Sequence, residues 1–216
     1  MRMFRDLAVL SGVMVSLLAC GEDEKVPAAS ASATSAPKPS AVASSAPPAS
    51  ASAAALPPRS DCPADSSGPG TLDKPCLGKG NTRLMTAKWT GKTDDKGPYF
   101  SVANTTKSVI LYGNIAVFFY DKDGKQIEVQ DTSSTPPKPA PYRTCAGNIF
   151  GGVMKADEKA TLTFSCIKKE HVPEGAVAIE GELVSVGFAD KTDSKVEFYW
   201  SNPDLIPKDR PKGGVK

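Results

Sequence analysis

The stretch Ile115–Tyr120 has the sequence IAVFFY, and Asp121–Gly124, which follows it directly, has the sequence DKDG. All six residues of the first stretch are apolar, which is typical of a β-strand that is covered on both faces or lies at the centre of a sandwich. The second stretch is a hairpin signal, because Gly124 can adopt the positive φ that a tight turn requires. We therefore expect a central strand, a tight turn and a returning strand over Lys125–Val129.

The chain on both sides of this stretch alternates apolar and polar residues with a period of two. This alternation predicts half-buried strands, separated by turns that contain Gly, Pro and Asn. The other expected strands are Leu84–Trp89, Tyr99–Ala103, Val109–Leu111 with a kink or bulge after it at Gly113, Ala160–Ile167, Ala176–Ile179 and Leu183–Phe188 (or one strand kinked at Gly181), and a last strand with Val196, Phe198 and Trp200. The predicted fold is all-β, an antiparallel β-sandwich of about seven or eight strands.

The segment Val102–Glu128 resembles the FxLyD family of bacterial and archaeal surface domains. The likeness is carried by a strand, the turn Asn104–Lys107, a second strand that ends in Tyr120-Asp121, and the polar hairpin after it. The sequence departs from the family's pattern at Val117 and Phe119, where the family has Phe and Leu. The resemblance spans about 100 residues, the size of an immunoglobulin-like domain, and it implies that fold. It implies a surface or periplasmic module and no catalytic site.

The N-terminal segment resembles the precursor of a bacterial lipoprotein. Two basic residues, Arg2 and Arg5, precede the apolar run Leu7–Leu18, and Leu17-Leu18-Ala19-Cys20 matches a lipobox. The apolar run is too short to cross a hydrocarbon core of about 30 Å, but it suits a signal peptide. The resemblance implies that residues 1–19 are a removed signal peptide and that Cys20 carries lipid. Because Gly21 stands where Asp would favour retention in the inner membrane, it also implies the outer membrane.

Composition divides the rest of the chain into three parts. Residues 20–59 are rich in Ala, Ser and Pro and contain few residues large enough to form a core, so we expect a disordered linker. Residues 60–207 are the expected β-sandwich domain, since a chain of about 150 residues can bury a core of its own. Residues 208–216 are basic and contain Gly and Pro, and we expect a disordered tail.

Four of the five cysteines, namely Cys62, Cys76, Cys145 and Cys166, lie within the predicted domain. In an exported chain they should form disulfides, and four cysteines allow three pairings. We favour Cys62–Cys76 and Cys145–Cys166, because each of these pairings closes a short loop. Zinc is the competing interpretation, but the sequence has no C-x-x-C pair and only one histidine.

The sequence offers little for catalysis or for a cofactor. A catalytic triad would have to use the single histidine, His171, which lies in a predicted loop. The DKDG segment with Glu128 lacks the ligand spacing of a calcium loop. Carboxylate pairs could meet in space, but no pair is singled out. We therefore predict no catalytic residue, no cofactor and no metal.

The balance of charge also argues against nucleic acid as a partner. The chain has 26 basic and 24 acidic residues, with the signs interspersed, and such a balance provides no extended positive field. The long polar segment Asp131–Pro141 contains four prolines and could carry binding, but a plain connector is the favoured interpretation. Tyr142 beside it is our candidate contact residue, and packing at the core or at a sheet edge is the alternative.

These observations predict a bacterial envelope lipoprotein that is anchored to the membrane through lipid on Cys20 and presents a non-catalytic interaction or scaffolding module. An envelope protein is the expected partner. Two other functions remain open at this point. One is a hydrolase without a consensus motif, and the other is a passive lipoprotein that links layers of the envelope.

Overall fold

The computed structural model describes residues 56–63, 65–131 and 135–216. This part of the chain contains eleven strands and two short 3-10 helices, and it contains no α-helix. The lipobox, Cys20 and residues 20–55 of the predicted linker lie outside the described residues. What the sequence predicts for them stays a prediction.

The strands range in length from two to twelve residues. They are β1 (Cys76–Leu77), β2 (Met85–Asp94), β3 (Gly97–Asn104), β4 (Ile110–Tyr120), β5 (Gln126–Ile127), β6 (Val129–Asp131), β7 (Lys138–Ala140), β8 (Arg143–Gly147), β9 (Lys159–Leu162), β10 (Ala178–Ala189) and β11 (Val196–Ser201). The 3-10 helices are Lys169–His171 and Pro203–Leu205. The all-β prediction is confirmed.

Nine strands form one sheet, and β6 and β7 form a separate two-stranded sheet. Strand pairs are antiparallel except for β1 with β11. Strand β10 is central: along one edge it pairs with β4 over almost its whole length. This arrangement is consistent with an all-β sandwich and is not a closed barrel.

The other edge of β10 is shared by two strands. Its first half pairs with β2 at Glu180 and Gly181, and its second half pairs with β11 from Ser185 to Ala189. A register shift between Leu183 and Ser185 marks the change of neighbour. Such bulges bend a strand and allow it to take part in two layers.

Strand β4 is covered on both faces, as its apolar sequence predicts. All six residues of Ile115–Tyr120 are fully buried. The inner face of β4 and β10 is apolar and packs into the core; it consists of Ile115, Val117, Phe119, Ile179, Gly181 and Leu183. The outer face of the same two strands consists of Phe118, Tyr120, Glu180 and Glu182. The turn after β4 is the predicted hairpin, in which Gly124 has φ +76°.

The two glycines at which a kink is predicted, Gly113 and Gly181, are instead positions where a side chain packs directly against the strand backbone. Strand β4 runs through Gly113 without a break, and a Cβ at this position would lie 2.7 Å from the Phe150 ring. Strand β10 likewise runs through Gly181, where a Cβ would lie 3.1 Å from the Phe100 ring. Glycine is present at both positions because a neighbouring side chain needs the space.

The predicted strand Ala160–Ile167 is shorter in the structure, where β9 ends at Leu162. The chain then turns, and the amide of Ile167 donates to the carbonyl of Phe164. This turn brings Cys166 beside Cys145 on β8, which a straight strand could not do.

Two segments that are predicted to be irregular make defined contacts in the structure. The ends of the predicted loop Asp131–Pro141 belong to a hairpin, because β6 pairs with β7 in the register Val129 with Ala140. The C-terminal segment 208–216, which we call the tail, packs against the outer face. Arg210 within it is 4% exposed.

Candidate functional site

The outer face of β4 and β10 carries two carboxylates among apolar neighbours. Strand alternation places Glu180 and Glu182 on the same side of β10, opposite to Ile179 and Leu183. Their cross-strand neighbours are Phe118 for Glu180 and Ala116 for Glu182. Carboxylates at such positions need cationic partners, because an unpaired buried charge is costly.

Arg210 of the tail supplies one of these partners. Its Nη1 lies 2.5 Å from Glu180 Oε2 and donates to the Tyr120 hydroxyl over 2.8 Å, and its Nη2 donates to Glu182 Oε1 over 2.8 Å. The guanidinium carbon lies 4.6 Å from the centre of the Phe118 ring. One arginine therefore makes ion pairs, a hydrogen bond and a cation–π contact, and only 3% of its side chain is exposed.

Arg83 is the second cation of this cluster. Its Nε and Nη2 donate to the two oxygens of Glu182 over 3.0 and 2.9 Å, which is the bidentate geometry that arginine favours. Its Nη2 also donates to the carbonyl of Val215 in the tail over 3.1 Å. The two arginines and the two glutamates together carry no net charge.

The electrostatics of the cluster favour a charged Arg210. Burial lowers the pKa of its guanidinium, but hydrogen bonds to Glu180 and Glu182 raise this pKa above its ordinary value. Burial raises the pKa of Tyr120, and the charge of Arg210 opposes that shift. Tyr120 thus stays protonated at neutral pH, and its hydroxyl can donate to the carbonyl of Arg210 at 3.3 Å.

A groove of about 420 Å³ lies beside the cluster, between β2, β10 and the tail. Its lining includes Arg83, Glu182 and Arg210 of the cluster, and Lys88 and Trp89 of β2. We call Arg83, Phe118, Tyr120, Glu180 and Glu182 the arginine pocket. Its chemistry is recognition of a guanidinium group, since it offers two carboxylates, a hydroxyl and an aromatic ring.

Both favoured cysteine pairings are present. Cys62 and Cys76 have their Cα atoms 5.7 Å apart and are bonded, and so are Cys145 and Cys166, with the same Cα separation. The first pair joins the N-terminal lead-in to β1, and the second joins β8 to the turn after β9.

Tyr142 is half-buried. Its ring packs against Phe118 with the ring centres 5.2 Å apart, on the outer face. It also lines a groove of about 490 Å³ together with Pro141, Arg143 and Thr144. Its packing role is therefore present, and its role as a contact residue stays a prediction.

His171 ends a 3-10 helix and is half-buried beside Arg143. Its Nε2 lies 3.2 Å from Arg143 Nη2, and its Nδ1 accepts from the amide of Lys168 over 3.1 Å. Burial and the charge of Arg143 lower the pKa of the imidazole, while Glu170 opposes the shift. The surroundings are those of a hydrogen-bonded structural histidine.

The described part of the chain contains no group of three or more His, Cys, Asp or Glu side chains placed to hold a metal ion. Its helices are also too short to cross a membrane. Comparison of the chain with protein families, with curated proteins and with solved structures finds no match.

The arginine pocket is not among the sites predicted from the sequence, although the sequence holds two signals for it. The first is Ile115–Tyr120, which is apolar on both faces. One face can pack into the core, so the other face must be covered by another part of the chain. The second is the placement of Glu180 and Glu182 in a strand that has no other charged residue and is otherwise apolar apart from Ser185, so the two carboxylates require cationic partners. Neither signal shows that Arg210, 28 residues after Glu182, is one of them.

Proposed function

We propose that this chain is a lipid-anchored protein of the bacterial envelope, and that its FxLyD-like, immunoglobulin-like domain is an interaction module. The anchor is the lipidated Cys20 in the proposed lipobox Leu17-Leu18-Ala19-Cys20, and the outer membrane is the proposed location. The Ala/Ser/Pro-rich residues 20–59 act as the tether.

One observation supports this proposal most directly, namely the distribution of the cysteines. The four cysteines of the described domain are joined in two pairs, which suits an oxidising compartment outside the cytoplasm. The fifth cysteine, Cys20, follows an apolar run at the position where a lipobox requires it. The pairing in the domain thus leaves Cys20 for lipid.

The anchor is tested by substituting Cys20→Ser in the full-length chain in a bacterial host. We expect an uncut and unlipidated precursor by intact mass, whereas the wild-type chain begins at a lipidated Cys20. The matched control is the double substitution Cys62→Ser and Cys76→Ser, which removes two other cysteines and their disulfide and leaves processing unchanged. Normal cleavage of the Cys20→Ser chain would refute the lipobox.

The role of the domain is tested by cross-linking in cells. The comparison protein carries the same signal and tether with an unrelated domain. A protein enriched only with the native domain would support the interaction module, and an identical background from both would favour a passive link between envelope layers. Thr144→Arg, at an exposed position of the groove beside Tyr142, should reduce the enrichment if that groove makes the contact.

A further inference from the structure

The tail is held against the outer face in the manner of a bound peptide. Only one of its long side chains, that of Arg210, is buried, whereas Lys208, Asp209, Pro211 and Lys212 are exposed. Most other contacts are made to its backbone. The side chain of Gln126 donates to the carbonyl of Lys208 over 3.2 Å and accepts from the amide of Arg210 over 3.1 Å.

Further backbone contacts continue along the tail. The amide of Gly213 donates to Glu180 Oε1 over 2.7 Å, and Arg83 donates to the carbonyl of Val215. Recognition of this kind fixes one side chain and the course of the backbone, and it leaves the flanking side chains free to vary. The requirement on a ligand is therefore an extended segment with one arginine.

The arginine pocket is built by the folded domain and not by the tail. Tyr120 and Phe118 belong to β4, and the two glutamates belong to β10. Arg83 holds both oxygens of Glu182 and so orients that carboxylate before a ligand arrives. Without Arg210 the pocket carries one net negative charge, which matches a single guanidinium.

We propose that the arginine pocket is a binding site for an arginine-containing extended peptide, and that the tail is its resident ligand. The tail therefore blocks the site in the intact chain. A segment attached to the same chain acts at an effective concentration of the order of millimolar. A peptide from a partner protein consequently binds only after the tail has been released or cut.

The proposal concerns the described domain and does not depend on where the chain is anchored. It is tested with the full-length chain carrying a protease site inserted between Pro207 and Lys208. The protein is cut after folding, the tail is removed by dialysis, and binding of a fluorescent peptide of residues 208–216 is measured by anisotropy. We expect saturable binding to the cut protein and at least 100-fold weaker binding to the uncut protein.

Two variant peptides test the chemistry of recognition. The peptide with Arg210→Lys should bind at least tenfold more weakly, because an ammonium cannot span both glutamates and stack on the ring as a guanidinium does. The peptide with Lys212→Ala should bind within twofold of the natural sequence, since Lys212 is exposed. Equal binding of the Arg210→Lys peptide, or no binding to a cut protein that keeps its fold, would overturn the proposal.

A second measurement applies if the domain unfolds when the tail leaves. The uncut full-length protein with Arg210→Ala keeps the tail backbone and lacks only the guanidinium. Millimolar methylguanidinium should then raise the melting temperature of this variant. Methylammonium should not raise it, and methylguanidinium should not raise the melting temperature of the wild-type protein. The absence of such selective rescue would equally overturn the proposal.

Discussion

The inner and outer faces of β4 and β10 are both covered, but different interactions cover them and Glu180 on the outer face is only partly buried. On the inner face, Ile115, Phe119 and Leu183 meet other apolar side chains. On the outer face, Phe118 and Tyr120 lie under a charged tail whose arginine pairs with two glutamates. Apolar packing depends mainly on volume and is non-directional, whereas the ionic cover requires one particular side chain at one distance. The same pair of strands is thus stabilised on one face and made selective on the other.

The largest effect is expected on the inner face. Phe119 is 0% exposed, so Phe119→Ala removes a fully buried ring and leaves a cavity. We expect a loss of about 3–5 kcal/mol in the free energy of unfolding. Urea denaturation of the oxidised protein, followed by tryptophan fluorescence, measures it.

The matched control for this change is Leu77→Ala, at an apolar residue that is 47% exposed. Because about half of this residue is already exposed to water, the loss should stay below about 1 kcal/mol. Similar losses for the two variants would mean that the inner face is not the close-packed side of the sheet.

A smaller effect is expected on the outer face. Glu182→Gln keeps the shape of the side chain but removes the charge that Arg83 and Arg210 share, and its side chain is only 8% exposed. Breaking a buried pair costs about 3–5 kcal/mol when a charge is left alone. Because Glu180 still pairs with Arg210, we expect about 2–3 kcal/mol here.

Glu197 provides the control for the ionic cover. It pairs with Arg59 over 3.3 Å, but its side chain is 47% exposed. Glu197→Gln should therefore change the free energy of unfolding by less than about 1 kcal/mol. Equal losses at Glu182 and Glu197 would show that burial does not strengthen the ion pairs of Glu182.

The contrast between the two faces also explains which features of the fold and the site could be predicted from the sequence. The alternation in β2 and β3, the apolar stretch Ile115–Tyr120 and the DKDG turn are local signals, and the strands they predict are present. The short separations of the cysteine pairs likewise favoured the pairings that the structure contains. These features depend on neighbours in the chain.

The features that the sequence analysis missed depend on distant partners. Tail residues 208–216 look polar and flexible in isolation, and their contacts are with Arg83, β4, β5 and β10, all distant in the sequence. The segment Asp131–Pro141 contains four prolines, which suggest a loop, yet its ends pair as β6 and β7. A local pattern indicates that a surface needs a cover, but it does not identify the residues that form the cover.

The smallest effect on the free energy of unfolding is expected at Arg143. This arginine lies beside His171, whereas Arg210 lies between two glutamates. Burial and the charge of Arg143 lower the pKa of His171 in the folded protein, while the unfolded chain should titrate near pH 6.5. Below about pH 6.5 the unfolded state therefore binds more protons, and the free energy of unfolding falls until the pH is below the folded pKa.

Urea denaturation at several values between about pH 7.5 and 5.5 detects this fall. His171→Gln should flatten the profile relative to the wild-type protein, because the amide does not titrate in this range. Glu170→Gln should steepen it, since Glu170 lies 3.9 Å from Nε2 and partly offsets the charge of Arg143. A wild-type profile that coincides with that of His171→Gln would show that Arg143 and His171 are not coupled. Arg143 would then have no electrostatic effect on its neighbour, unlike Arg210, because a cation beside a histidine confers pH dependence only if its charge reaches the imidazole.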